Sequence, residues 1–552
     1  MGKRYLLLLS VGLLLVFGFV SDTSDRYFEI SKNMEIFGKV YTDINLQYAD
    51  PTSPTQLMRT GVDAMLKTLD PYTVYYGESQ IEYSKLIQSG QYSGIGCDIT
   101  ESGDRIILVN FEDGGPADEA GLRVGDMLET IDNESVTRGD RSLDQIRTLL
   151  FGERETEVKL TIKRGGELKE IIVIRGGKQG AQEDVPYFAM ANDSIGYILQ
   201  VGFSGRAAQS VKDAFNALKK EHELKGLILD LRANPGGRLD QAVDICNHFI
   251  PSGKLIVEMR GRTKETQNKF YTRNSPLDTQ IPVAVLVNGR SASASEIVAG
   301  AIQDLDRGVI VGVRSFGKGL VQNFRPLSYN TQMKITVAKY YTPSGRCIQS
   351  IDYFNDEPGA GISKVPDSLI SAFKTQNGRV VYDGGGIDPD VTVEKPKEAP
   401  VTKALKEQKL IFDFATDFQA KNDSILPPRE FDVSDALFQQ FIAFVEEKGF
   451  SFSTETEKKL ESLQGEWTAD KMSKADKALF DKMRNTLAQQ KKNDLTRHKD
   501  QIAPLIRKEI IERYHFNDGI IESNFVHDSD ILRAIDIISN KKYYSDILAG
   551  RK

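Results

Sequence analysis

The sequence predicts a multi-domain α/β protein, and three observations carry that prediction. Its 552 residues exceed what one hydrophobic core accommodates, so two to four domains are expected. Residues 190–350 alternate apolar strands with amphipathic helices, the pattern of a sheet covered by helices. From residue 400 to 552 the chain turns charged, helical and nearly free of glycine.

Composition narrows the function classes. Charged residues make up 27% and hydrophobic residues 40%, ordinary for a globular protein. A net charge of −7 gives no basis for a nucleic-acid partner. Cys97, Cys246 and Cys347 stand far apart, which excludes a disulfide framework or a cysteine zinc site. Five histidines without HxxxH or HExxH spacing argue against a metal hydrolase. No metal and no cofactor is expected.

At the N-terminus, Lys3 and Arg4 precede the apolar run Tyr5–Val20, and the polar stretch SDTSD comes after it. Residues 1–22 therefore read as a signal peptide or a membrane anchor. The run is short against the roughly 20 apolar residues of a bilayer span. Cleaved signal and retained inner-membrane anchor both stay open, and the body is expected to be exported, in the periplasm or cell envelope. Residues 27–87 read as helical with a break at ADPTSPTQ. Leu57, Met58, Val62, Met65, Leu66 and Leu69 share one helical stripe, expected to be buried against the next domain or in a homo-oligomer.

Residues 88–178 form a β-rich unit of short β-branched runs between Gly and Asp turns. Within it SLDQIRTLLFG predicts a helix capped by Ser142 and Gln145, with Leu143, Ile146 and Leu150 on one face. Residues 185–395 hold the alternating strands and helices. Residues 400–552 are expected to be an accessory helical extension, with one helix capped at Ser434 and stopped at Gly449.

Three loops of the α/β region carry candidate chemistry. RSASASE places a serine at a helix N-terminus, where unpaired N–H groups and the helix dipole favour a negative oxygen. SFGKGLVQ sets Lys318 between two glycines, with Gln322 four residues on. DLRANPGG puts Gly236 and Gly237 between a buried strand and a helix, where backbone amides approach a ligand closely. Alone, each loop reads equally as a cap, a solvated lysine or a plain turn.

Together and in order, the three stretches resemble the C-terminal processing peptidases, also called tail-specific proteases. The spacing agrees, because Lys318 comes 25 positions after Ser293. The resemblance implies a crotonase/ClpP-like serine protease core over residues 185–395. It implies Ser293 as nucleophile, Lys318 as general base and Gln322 as its positioning partner. The Ala294 amide, with Gly236 or Gly237, would form the oxyanion hole. YSGIG and the 97–178 region together look like a PDZ domain over 88–178, with Gly94, Ile95 and Gly96 as the loop that binds a substrate's terminal carboxylate. KYYTPSGRCIQ and GGGIDPDV resemble later family motifs. One departure is Phe151 before Gly152, where many members carry Arg-Gly.

The implied activity is a serine endopeptidase acting on proteins or peptides with free C-termini. A free lysine, with a pKa near 10.4, has to be brought down by about 3 units to accept the serine proton. Burial among Phe316, Leu320 and Phe324, its neighbours in sequence, is the expected cause. The alternatives are a silent PDZ scaffold that only gathers partners, and a crotonase-like acyltransferase.

Overall fold

The computed structural model describes residues 26–78, 80–81, 92–102, 105–136, 142–176, 183–351, 367–467, 473–491 and 493–551. The segment 1–22, expected as signal or anchor, lies outside them. Among the described residues no helix is long and apolar enough to cross a membrane. The described residues divide into two compact units, those within 1–81 and 322–336, and those within 82–321 and 337–552.

In the smaller unit residues 26–47 are helical, and the predicted break comes next. Ser53 then caps the helix Pro54–Lys67 by accepting the Gln56 N–H. The Phe37 ring lies beside Gly61, so the two helices touch. Strand Val74–Tyr76 pairs antiparallel with Gln332–Lys334. Within this unit the predicted stripe is partly covered. Leu57, Met58, Val62 and Leu66 are half-buried, while Met65 and Leu69 are exposed. One helix and a three-residue strand beside it in this unit do not cover a full stripe.

The larger unit holds two six-stranded sheets, smaller sheets and the C-terminal helices. Its β-rich part is a sheet in the order Asp98–Ser102, Arg105–Val109, Met127–Ile131, Glu157–Arg164, Glu167–Ile174, all antiparallel. Helix Leu143–Leu150 begins on the predicted box, with Ser142 and Gln145 exchanging hydrogen bonds. It buries Ile146 and Leu150 among Ile99, Leu108, Leu160 and Val173. We call it the groove helix, and Asp98–Ser102 the groove strand.

The main sheet runs Tyr187–Met190, Ile195–Leu199, Gly226–Asp230, Val283–Val287, Val309–Gly312, Val391–Thr392. Its first pair is antiparallel and the rest are parallel. Both central strands are buried along their whole length, as a strand covered on two faces must be. One face carries the helices Ala207–Glu221, Leu239–Phe249 and Ala294–Asp304, each near its predicted place. A second small sheet, in which Leu255–Gly261 pairs with Asn268–Tyr271, was not legible as a separate layer.

The other face of the main sheet comes from the far end of the chain. Ile531, Ala534, Ile537 and Ile538 of helix Ser529–Ser539, with Tyr544 and Ile547 of Lys541–Leu548, pack on Ile228, Ala284, Leu286, Val309 and Val311. The Ile538 side chain comes so near Gly226 that any Cβ there would clash with it. The Tyr544 hydroxyl accepts the Val283 N–H at 3.0 Å. The last two helices of the extension thus form one wall of the core. Its middle helices bury Phe414, Phe438, Phe441 and Ile506 in a cluster of their own. Phe412 and Phe516 pack against the core of the β-rich unit.

Candidate active site

Three loops converge at the C-terminal ends of the central strands, where open α/β sheets place their chemistry. The loop after Val283–Val287 contains the three serines, and the structure separates them. Ser291 is fully buried and its hydroxyl donates to the Leu231 carbonyl at 2.7 Å. Ser295 is also fully buried and donates to the Asn234 carbonyl at 3.0 Å. Ser293 alone is half-exposed. Its backbone is strained, at φ 56° and ψ −113°, in a region that side chains rarely adopt.

Glu296 explains how that strain is held. It is completely buried, and both its oxygens accept hydrogen bonds. Oε2 takes the N–H of Ser293 at 2.8 Å and the N–H of Lys318 at 2.9 Å. Oε1 takes the Ser315 hydroxyl and the Gly317 N–H, each at 2.6 Å. One carboxylate oxygen therefore ties together the backbones of Ser293 and Lys318. Burial pushes the Glu296 pKa above its ordinary value, against the pull of these four donors.

A second group repeats the tie from the other side. The Tyr340 hydroxyl lies within hydrogen-bond reach of the Ser293 carbonyl, at 3.0 Å, and of the Lys318 carbonyl. Gly317, at φ 86°, leaves no room for a side chain, since an added Cβ would meet Ser350 at 2.4 Å. Lys318 itself is half-buried. Of its expected apolar neighbours, Leu320 is buried, whereas Phe316 and Phe324 are exposed. Gln322 is half-buried in the smaller unit, where its amide donates to the Thr336 hydroxyl at 3.3 Å.

The glycine loop is fixed at both ends. Asn234 is fully buried, its amide donating to the Gln200 carbonyl at 2.8 Å and its Oδ1 accepting the Gly236 N–H at 2.9 Å. Its carbonyl accepts the Ala292 N–H at 3.0 Å, joining this loop to the serine loop. Gly236, at φ 96°, passes so close that an added Cβ would meet the Ala294 nitrogen and Ser293 Cβ at 2.8 Å. The N–H groups of Gly237 and Ala294 meet no acceptor among the described residues. Upstream, Arg232 pairs with Asp230 at 2.7 Å, Asp528 at 2.8 Å and Asp530 at 2.9 Å.

In the β-rich unit, the carbonyls of Gly94, Ile95 and Gly96 accept N–H groups from Gly176, Ala117 and Glu112. Their own N–H groups have no acceptor among the described residues. The Phe151 ring packs against Gly94.

Comparison with known proteins matches residues 194–356 to peptidase family S41, 102–164 to a PDZ domain, and 401–538 to a probable PDZ-protease C-terminal helical domain. The chain is 33% identical over 344 residues to a carboxy-terminal-processing protease of Bartonella bacilliformis, covering 60% of this chain and 76% of that one. It belongs to that family of S41 serine peptidases. A probable CtpA-like serine protease of Staphylococcus aureus is 31% identical over 68% of each chain. Among solved structures, a photosystem II D1 C-terminal processing protease matches at 25% identity with a TM-score of 0.36. That match covers 65% of this chain and 92% of that one.

For a serine peptidase the constellation has clear parts, and sequence reading missed two of them. Glu296 and Tyr340 were not singled out. The signal for Glu296 was present, because Ser293-Ala294-Ser295-Glu296 has the spacing of a capping box. Tyr340 stood in a quoted motif, but only folding brings its hydroxyl to the two carbonyls.

Proposed function

We propose that this peptidase cuts with a Ser293–Lys318 dyad and selects substrates by their C-terminal tails. The observation that carries the reading is the shared Glu296 oxygen, which holds the backbones of Ser293 and Lys318 in one frame. Of the three serines in its loop, Ser293 is also the one left near the surface. A neutral Lys318 amine takes the Ser293 Oγ proton as the oxygen attacks the scissile carbonyl, then passes it to the leaving amine. Water repeats the cycle on the acyl-enzyme.

Developing charge on the carbonyl oxygen is met by the N–H groups of Ala294 and Gly237. Gly236, whose N–H is committed to Asn234, shapes the loop rather than donating. The inward-facing carbonyls at Gly94, Ile95 and Gly96 leave three N–H groups for a terminal carboxylate, with the tail added as a strand beside the groove helix. Export to the cell envelope is the reading of the N-terminal segment, whether cleaved or retained, and a homo-oligomer through the partly covered helical stripe suits the smaller unit.

Incubation with an unfolded protein, read by mass spectrometry, tests the dyad. Ser293→Ala and Lys318→Arg should each lower cleavage by about 1,000-fold or more, since arginine stays protonated. Ser291→Thr, which keeps the hydroxyl, should retain measurable cleavage. Wild-type rates in either of the first two would remove the assignment.

A further inference from the structure

The PDZ groove is not empty: its edge is occupied by the protein's own side chains. In the pairing of Asp98–Ser102 with Arg105–Val109, Ile99 lies opposite Leu108. Both backbone groups of Leu108 are used on its other side, its N–H donating to Asp126 and its carbonyl accepting from Gly125. Ile99 and Leu108 are therefore a non-hydrogen-bonded pair, and the Ile99 N–H and carbonyl point to the free edge of the groove strand. An added strand would have to pair with these two groups.

Both are already engaged. The Ile99 N–H donates to Asp98 Oδ1 at 2.8 Å, and its carbonyl accepts Nη2 of Arg147, from the groove helix, at 3.1 Å. Arg147 Nε donates to the same Asp98 Oδ1 at 3.0 Å, and its Nη1 to Asp144 at 3.1 Å. Asp98 and Arg147 thus close a small ring over the edge groups of Ile99. The two side chains are 47% and 38% exposed, so the ring is held weakly enough to open.

Counting along the strand fixes which tail residue meets it. With a terminal carboxylate on the amides of Gly94–Gly96, the last residue falls opposite Cys97 and the third from the end opposite Ile99. Directly opposed antiparallel residues place their side chains on one face. Ile99 turns its own side chain into the core beneath the groove helix. The third tail residue consequently faces the groove helix and Arg147.

We propose that Arg147 is a specificity-determining residue for the third residue from the substrate's end, favouring an acidic side chain there. The tail takes the Ile99 groups from Asp98 and Arg147, and a Glu or Asp in that position replaces Asp98 as the guanidinium's acceptor. A lysine in that position meets the freed guanidinium with like charge. This rests on the reading that the PDZ loop takes free tails.

The test uses the full chain as Ser293→Ala, so that peptides bind without being cut. Fluorescent decapeptides ending Glu-Ala-Ala, Ala-Ala-Ala and Lys-Ala-Ala, each with free and amidated ends, are titrated by anisotropy. The Glu tail should bind about 3-fold tighter than the Ala tail and about 10-fold tighter than the Lys tail, the scale of exposed charge pairs. Adding Arg147→Ala should erase that order and bind the Ala tail about 3-fold tighter than before, because the edge is no longer occupied. Asp98→Asn should tighten the Ala tail as well. No order among the three tails, or the same order after Arg147→Ala, would overturn the role of Arg147 while leaving tail capture intact. Equal binding of free and amidated tails would instead overturn tail capture, and this proposal with it.

Discussion

Two carboxylate centres hold the two halves of the candidate site's frame, and they are built in opposite ways. Glu296 reaches only to residues 293–318, and its partners are backbone N–H groups and one hydroxyl. Arg232 gathers Asp230 beside it with Asp528 and Asp530, nearly three hundred residues away. The first centre is local and shapes the Ser293–Lys318 pair. The second is long-range and anchors the glycine loop to the helices that wall the main sheet. Local centres answer to a motif, whereas long-range ones exist only once the chain has folded.

The hardest way to break the comparison is to remove the distant partner altogether. A chain ending at residue 398 loses Ile531, Ile537, Ile538 and Tyr544 and bares the face formed by Ile228, Leu286 and Val311. It should be insoluble or unfolded by circular dichroism, with no cleavage. A soluble, cooperatively folded product would show that the wall is dispensable.

The next effect acts on the local centre. Glu296→Gln presents an amide donor to at least one N–H that needs an acceptor, at either oxygen. Unfolding stability should fall by about 3 kcal/mol, the scale of one or two unsatisfied buried donors. With the serine and lysine frames no longer tied, kcat should fall about 100-fold with KM little changed. A loss confined to KM would mean that Glu296 serves substrate binding and not the frame.

The smallest effect separates the centres by pH. Burial would raise Asp528, but the charge and hydrogen bonds of Arg232 hold it below its ordinary 3.8. Its contribution is therefore complete above about pH 3.8 and is lost as pH falls through the lowered native value. Glu296 has the opposite sign. Its raised native value means that stability declines as pH climbs from 4.5 through that value. Asp528→Asn, which keeps the cap of helix Ser529–Ser539, should cost about 1–2 kcal/mol near neutrality and less in acid. Urea midpoints across pH 3 to 7 measure it, and a wild-type-minus-variant difference that is constant with pH would contradict the ion-pair account.

The same division separates what was legible from what was not. The groove helix was placed by Ser142 and Gln145, and helix Asp435–Glu447 by Ser434, because caps are contacts between near neighbours. The central strands were found because continuous apolar runs are what two-sided burial demands. The serine, lysine and glycine loops were readable as motifs because each is a short backbone shape with fixed residues. That reading could not say which of Ser291, Ser293 and Ser295 keeps an exposed position, except by resemblance.

The sequence by itself determined the α/β class, the helix starts, the apolar strands and the three loops, since periodicity and capping depend on residues a few positions apart. Only the tertiary structure decided that residues 529–548 wall the main sheet, that Glu296 and Tyr340 tie Ser293 to Lys318, and that Arg147 covers the groove edge. An amphipathic helix announces that it must bury a face, but not against what. A buried carboxylate likewise announces nothing until its donors arrive from other parts of the chain.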